Sequence, residues 1–211
     1  MACAVANIIA SKFEKQETDT SCGVVSAGTA MLATGAAAIN GLSSPQMRDV
    51  FRLPATTSVM PMQEVIEQGT TIDQVALILE RNAAGRATKF FANDIGSVDR
   101  FRQIICKALD KGLVDSETTA AAVVINYDME VLARVTGSEA YLVGLPDATH
   151  VNSGLGHMSV ISAYHADTDR FLLLDTWPGT PSGWASAADL YTAVRSGYQR
   201  TYPFGECLVF V

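Results

Sequence analysis

"HMSVISAYHADTDRFLLLD", His157 to Asp175, decides the fold class in nineteen residues. Two apolar runs, 157–164 and 170–175, flank the link "HADTD", which has hairpin length and turn residues. Such a link joins antiparallel strands, whereas parallel strands need a long crossover. "AAVVIN" (121–126) and "CLVFV" (207–211) read as further strands. The N-terminal half has a different period. Residues 22–39 read as a helix rich in Ala, Gly and Ser, whose small side chains let other backbones approach and predict a central position. In "SSPQMRDVF", Ser44 stands as N-cap and Pro45 at the first helical position. "TTIDQVALILERN" has apolar residues at helical spacing, with Thr70 or Thr71 as cap. "SVDRFRQIICKALDKG" repeats that pattern and stops at Gly112, and "SAADLYTAVRS" reads as a late helix. Helices first and an antiparallel sheet after predict an α+β protein. The expectation is one domain over 1–211, with a helical lobe of about 1–112 and a sheet lobe of about 120–211.

Composition narrows the function. Hydrophobic residues make up 48% of the chain, enough for a sizeable core. The net charge is −7 and no Lys/Arg run occurs, which argues against nucleic acid and anionic membranes as main partners. No apolar run approaches the ~20 residues of a transmembrane helix. The start, "MACAVANIIASKF", lacks a basic n-region and reads as the first structural segment, so a cytoplasmic location is expected. Cys3, Cys22, Cys106 and Cys207 are far apart, without C-x-x-C or histidine at ligand spacing. Neither a metal site nor a disulfide framework is expected.

One cysteine is placed for chemistry. Thr18, Asp19, Thr20 and Ser21 precede Cys22 and small residues follow it, which puts Cys22 at a helix N-terminus. Unpaired N–H groups and the positive dipole end favour an anion there by ~0.3–1 kcal/mol. That is too little to hold a thiolate alone, so a histidine partner is needed. The chain has three histidines, His150, His157 and His165. His157 opens a predicted strand after "NSGLG", and the glycines, Gly156 among them, leave room for a substrate chain. Asp175 ends the next strand. In a hairpin the two become cross-strand neighbours, which supplies nucleophile, base and orienter. Gln16, on the loop before Cys22, can offer its amide to a developing oxyanion. No Walker loop, G-x-G-x-x-G, H-E-x-x-H or G-x-S-x-G is present.

These residues resemble the catalytic domain of phytochelatin synthases, a papain-like cysteine peptidase family. The family's Q-x5-C-G matches Gln16, Cys22 and Gly23, and its G-H-[FI]-S-P segment is similar to "GHMSVISAYH". "GTTIDQVALILERNAAGRATKFF", "FRQIICKAL" and "VVINYDMEVL" follow in the expected order. The resemblance implies a papain-like fold with Cys22 as nucleophile, His157 as base and acid, Asp175 as orienter and Gln16 as oxyanion donor. It implies glutathione or a related γ-glutamyl thiol peptide as substrate. Attack releases glycine and leaves a γ-glutamylcysteinyl acyl-enzyme, which water hydrolyses or a second thiol peptide extends into phytochelatin. No cofactor is implied; metal ions enter as metal–thiolate complexes of the substrate. Homodimerisation is left open.

Departures refine that expectation. Where the family follows the Asp with a basic stretch, this chain has "TWPGTPSGW". Arg200 is offset from the family's Arg before the last strand and is the remaining candidate for an anion contact, beside Gly156 in the substrate site. Without a Cys-rich extension the chain is similar to short bacterial members, so hydrolysis is expected over polymer synthesis. Two other readings use the same residues: a bacteriocin-leader-type cysteine peptidase, and a non-catalytic binding protein on the same scaffold.

Overall fold

A computed structural model of the chain describes residues 4–16, 20–35, 69–82, 85–136, 156–178, 180, 182–198 and 206–211. The predicted cap at Ser44 and Pro45, together with Cys3, His150 and Arg200, lies outside the described residues. The architecture is α+β, with seven α-helices and one six-stranded sheet among the described residues. The strands are β1 (Ala87–Phe91), β2 (Ala122–Asp128), β3 (Gly156–His165), β4 (Arg170–Asp175), β5 (Gly183–Ser186) and β6 (Glu206–Phe210). Their order is β1-β6-β2-β3-β4-β5, and every neighbouring pair is antiparallel. β2 lies inside the sheet and is buried along its whole length, which is why its first four residues, "AVVI", form a continuous apolar run rather than an alternation.

The helices are α1 (Ala4–Lys12), α2 (Cys22–Ala33), α3 (Ile72–Asn82), α4 (Ala92–Ile95), α5 (Val98–Leu109), α6 (Met129–Thr136) and α7 (Ala187–Tyr198). α2 packs against β2 and β3 and buries every residue except Leu32, as its small side chains allow. It ends at Ala33 instead of running to residue 39. The Thr34 hydroxyl donates to the Ala30 carbonyl at 2.8 Å, and Gly35 then takes φ +64°, a conformation that glycine adopts without strain. α3 opens with a capping box. Thr71 N–H donates to Gln74 Oε1 at 2.7 Å, and Gln74 N–H donates to Thr71 Oγ1 at 3.2 Å, so Thr71 rather than Thr70 is the cap. α5 is capped by Ser97, whose side chain accepts from Arg100 N–H, and buries Phe101, Ile104, Ile105, Ala108 and Leu109. Phe101 meets Phe171 of β4 edge to face at 6.1 Å and Tyr191 of α7 at 5.6 Å, which ties both helices to the sheet.

Candidate active site

The β3–β4 hairpin brings His157 and Asp175 to the same end of the sheet. They are diagonal neighbours rather than directly opposed: Asp175 faces Ser159, and His157 lies two residues further along β3. The cause is an irregularity between Ile161 and Ala163, where Ser162 is left without a partner in the register. From the turn to that point His165 pairs with Arg170 and Ala163 with Leu172. Continued unbroken, that register would set Asp175 opposite Val160 and on the other face from His157. The extra residue restores the match, since a one-residue shift exchanges the faces of a strand.

The carboxylate of Asp175 is fully buried and has three donors. Its Oδ1 lies 3.0 Å from His157 Nε2 and accepts from Trp177 N–H at 2.8 Å, and its Oδ2 accepts from the Tyr127 hydroxyl at 2.9 Å. Tyr127 lies directly opposite His157 in the β2–β3 ladder, and its hydroxyl is also 3.1 Å from Ser159 Oγ. Burial alone pushes Asp175 up, but the His157 charge and these hydrogen bonds outweigh it and hold the carboxyl below its ordinary range. Burial alone pushes His157 down; the Asp175 charge and hydrogen bond, followed by the interaction with Cys22, raise it well above its ordinary value. An ionised carboxylate only accepts, so Nε2 carries the proton toward Asp175 and Nδ1 is the nitrogen for the thiol. Trp177, itself buried, stands edge-on to the imidazole, at 6.4 Å between ring centres.

Cys22 is the first residue of α2, is buried, and lies close enough to the His157 side chain to help raise it. Gly23 follows because the helix start is crowded: a Cβ there would overlap Thr70 Oγ1 and press on Met158 Sδ at 2.9 Å. Gln16 is buried and held twice by Thr176, the residue after Asp175. Its N–H donates to the Thr176 carbonyl at 2.8 Å, and its Oε1 accepts from the Thr176 hydroxyl at 2.7 Å. Lys15 adds to that seam by donating from Nζ to the carbonyls of Asp175 and Thr180, each at 2.5 Å. Burial lowers the Lys15 ammonium from its ordinary value, against the pull of Asp175.

Four of the six residues singled out in the sequence, Cys22, His157, Asp175 and Gln16, therefore converge. Gly156 opens β3 beside His157 and pairs with Asp128. Such a thiol, against an imidazole fixed by a carboxylate, can attack a carbonyl carbon and pass a proton to the leaving amine. Sequence reasoning did not find Tyr127, Thr176, Trp177 or Lys15. Only the strand register and the seam between loops single them out. A separate groove of about 560 Å³ lies between α5, β1 and β6 and contains none of these residues. Among the described residues no three His, Cys, Asp or Glu side chains group to hold a metal ion, and no helix is long and apolar enough to cross a membrane.

The family model described as phytochelatin synthase matches residues 3–202. No curated protein matches the sequence.

Proposed function

Because the chain belongs to the phytochelatin synthase family, an enzyme family of glutathione γ-glutamylcysteinyl transfer and hydrolysis, we propose that Cys22, His157 and Asp175 carry out that reaction here. The observation that carries this reading is the His157 ring held at 3.0 Å by the buried Asp175 carboxylate, with Cys22, at the start of α2, close enough to help raise the imidazole. The thiolate attacks the carbonyl carbon of the cysteinyl–glycine bond. Gln16 Nε2 and the Cys22 backbone N–H donate to the oxyanion that forms. The protonated Nδ1 of His157 gives its proton to the glycine nitrogen as the C–N bond breaks, which leaves a thioester on Cys22. Water, losing a proton to the same nitrogen, then releases γ-glutamylcysteine and restores the thiol. If the amine of a second thiol peptide attacks instead, the chain lengthens. Metal ions participate as thiolate complexes of the substrate.

Hydrolysis outruns transfer in this reading. A second peptide must displace water and be held by its own contacts, and "TWPGTPSGW", which follows Asp175, offers no basic side chain for a carboxylate. Gly156 borders the substrate chain in this reading, and Arg200, outside the described residues, is the candidate for an anion contact. Product analysis with glutathione, with and without cadmium, tests this. The expected products are glycine and γ-glutamylcysteine. Chains longer than glutathione as the main product would overturn the hydrolytic preference. A double-Gly leader peptide assayed alongside separates the leader-peptidase reading, and absence of turnover on both would favour a binding protein.

A further inference from the structure

We propose that Thr176 is a positioning residue whose hydroxyl sets the face of the Gln16 amide, so that its nitrogen, not its oxygen, serves the oxyanion. The inference rests on the proposed role of Gln16. Thr176 is fully buried and its hydroxyl has three neighbours: Gln16 Oε1 at 2.7 Å, the Met158 carbonyl at 3.0 Å and His157 Nε2 at 3.4 Å. The hydroxyl has one proton to give and can also accept. His157 Nε2 carries its own proton, toward Asp175, so it does not need the proton of the hydroxyl. Of the two oxygens that need its proton, Gln16 Oε1 is nearer, at the usual O–H···O spacing and below the usual N–H···O one. The amide oxygen is thereby committed to Thr176, and the nitrogen lies at the other end of the amide. The seam fixes both partners, because Gln16 N–H also binds the Thr176 carbonyl and Lys15 ties the loop on either side. A valine at position 176 keeps the shape and removes the hydroxyl. The amide can then turn over, which would place a carbonyl oxygen where negative charge develops.

The test compares two reactions of Cys22. Acylation by p-nitrophenyl acetate passes through an oxyanion, whereas alkylation by iodoacetamide does not, although both use the thiolate. Neither depends on the identity of the natural substrate. Gln16→Ala is expected to slow acylation about 10²-fold and leave alkylation unchanged. Thr176→Val should slow acylation about tenfold, again with alkylation unchanged, and Thr176→Ser should restore it. Thr176→Ala takes the place of Thr176→Val if the latter does not fold. In the Gln16→Ala background the loss of the hydroxyl should cost nothing more, because both changes act through one group. A full further tenfold loss in the double variant would overturn the inference while leaving Gln16 its role. So would a parallel loss of alkylation in Thr176→Val, since that would route the effect through His157. Unchanged acylation in Gln16→Ala would instead remove the role of Gln16 itself.

Discussion

Strand β4 has an aspartate at each end, and the two are held by different chemistry. Asp169, in the turn just before β4, takes φ +50°, a left-handed conformation that Asp tolerates better than most residues. Its carboxylate receives a two-pronged contact from Arg102, with Nε to Oδ1 and Nη2 to Oδ2 each at 2.7 Å, and a third bond from the Tyr164 hydroxyl. Those bonds hold the carboxyl below its ordinary range, and the guanidinium never gives up its proton. Asp175, at the other end, is also held low, but by an imidazole that can lose its proton and by neutral donors. One end fastens α5 to the hairpin. The other end is suited to move protons, because its cation is titratable. That both carboxylates are held low therefore says nothing about function until the partner is named.

The largest difference should appear in turnover. Cys22→Ala and His157→Ala are expected to remove it, by about 10³-fold or more, since nucleophile and base act as a unit. Asp175→Asn should leave measurable activity, as an amide still orients the ring. Asp169→Asn should stay within about twofold of wild type, because its partners only brace the fold. Steady-state glycine release on the four variants checks this, and an Asp169→Asn loss as deep as that of Asp175→Asn would erase the distinction.

The cysteines sharpen it further. Cys106 lies in α5 within reach of Asp110 and Asp169, and burial first, then the Asp110 charge, pushes its thiol up to about 11. Iodoacetamide near neutral pH should label Cys22 first and Cys106 about 10²-fold more slowly. Peptide mapping of partly labelled protein reads this, and earlier labelling of Cys106 or Cys3 would contradict the site.

A smaller effect lies in pH. The raised His157 contributes stability that is complete below its unfolded value of about 6.5 and declines as pH rises toward its folded value. The lowered Asp175 contributes stability that is complete above about 4 and is lost as pH falls through its folded value. The pair thus stabilises most between about pH 4 and 6.5. Asp175→Asn removes the charge that favours imidazolium, so the alkaline limb of turnover should move down by about one pH unit or more, and the drop in Tm should be greatest near pH 5–6. A limb that stays in place would detach His157 from Asp175. The smallest effect belongs to the turn. Asp169→Asn should cost about 0.5–1 kcal/mol, or about 1–4 °C in Tm, and the loss should shrink at high salt.

The residues with the plainest chemistry were legible in the chain because each stands at an element boundary: Cys22 where a helix begins, His157 where a strand begins, Asp175 where one ends. The two apolar runs 157–164 and 170–175, joined by a short link of turn residues, marked the hairpin. The irregularity at Ser162 was not legible, since one extra residue leaves composition and pattern intact while it exchanges faces. β1 and β5 escaped notice because "ATKFF" and "GWAS" carry neither a continuous apolar run nor an alternation. Tyr127 reads as one more apolar residue of a buried strand. Thr176 carries no motif; its place in the seam depends on two segments 160 residues apart.

The central claim is that Cys22 bears the acyl group. The direct measurement is the mass of peptides from enzyme mixed with glutathione and acid-quenched within the first turnover. The account predicts one γ-glutamylcysteinyl group on Cys22 in the wild type, with glycine released in equal amount, and neither in His157→Ala. Glycine release with Cys22 unmodified, or the group found on Cys106, would contradict it.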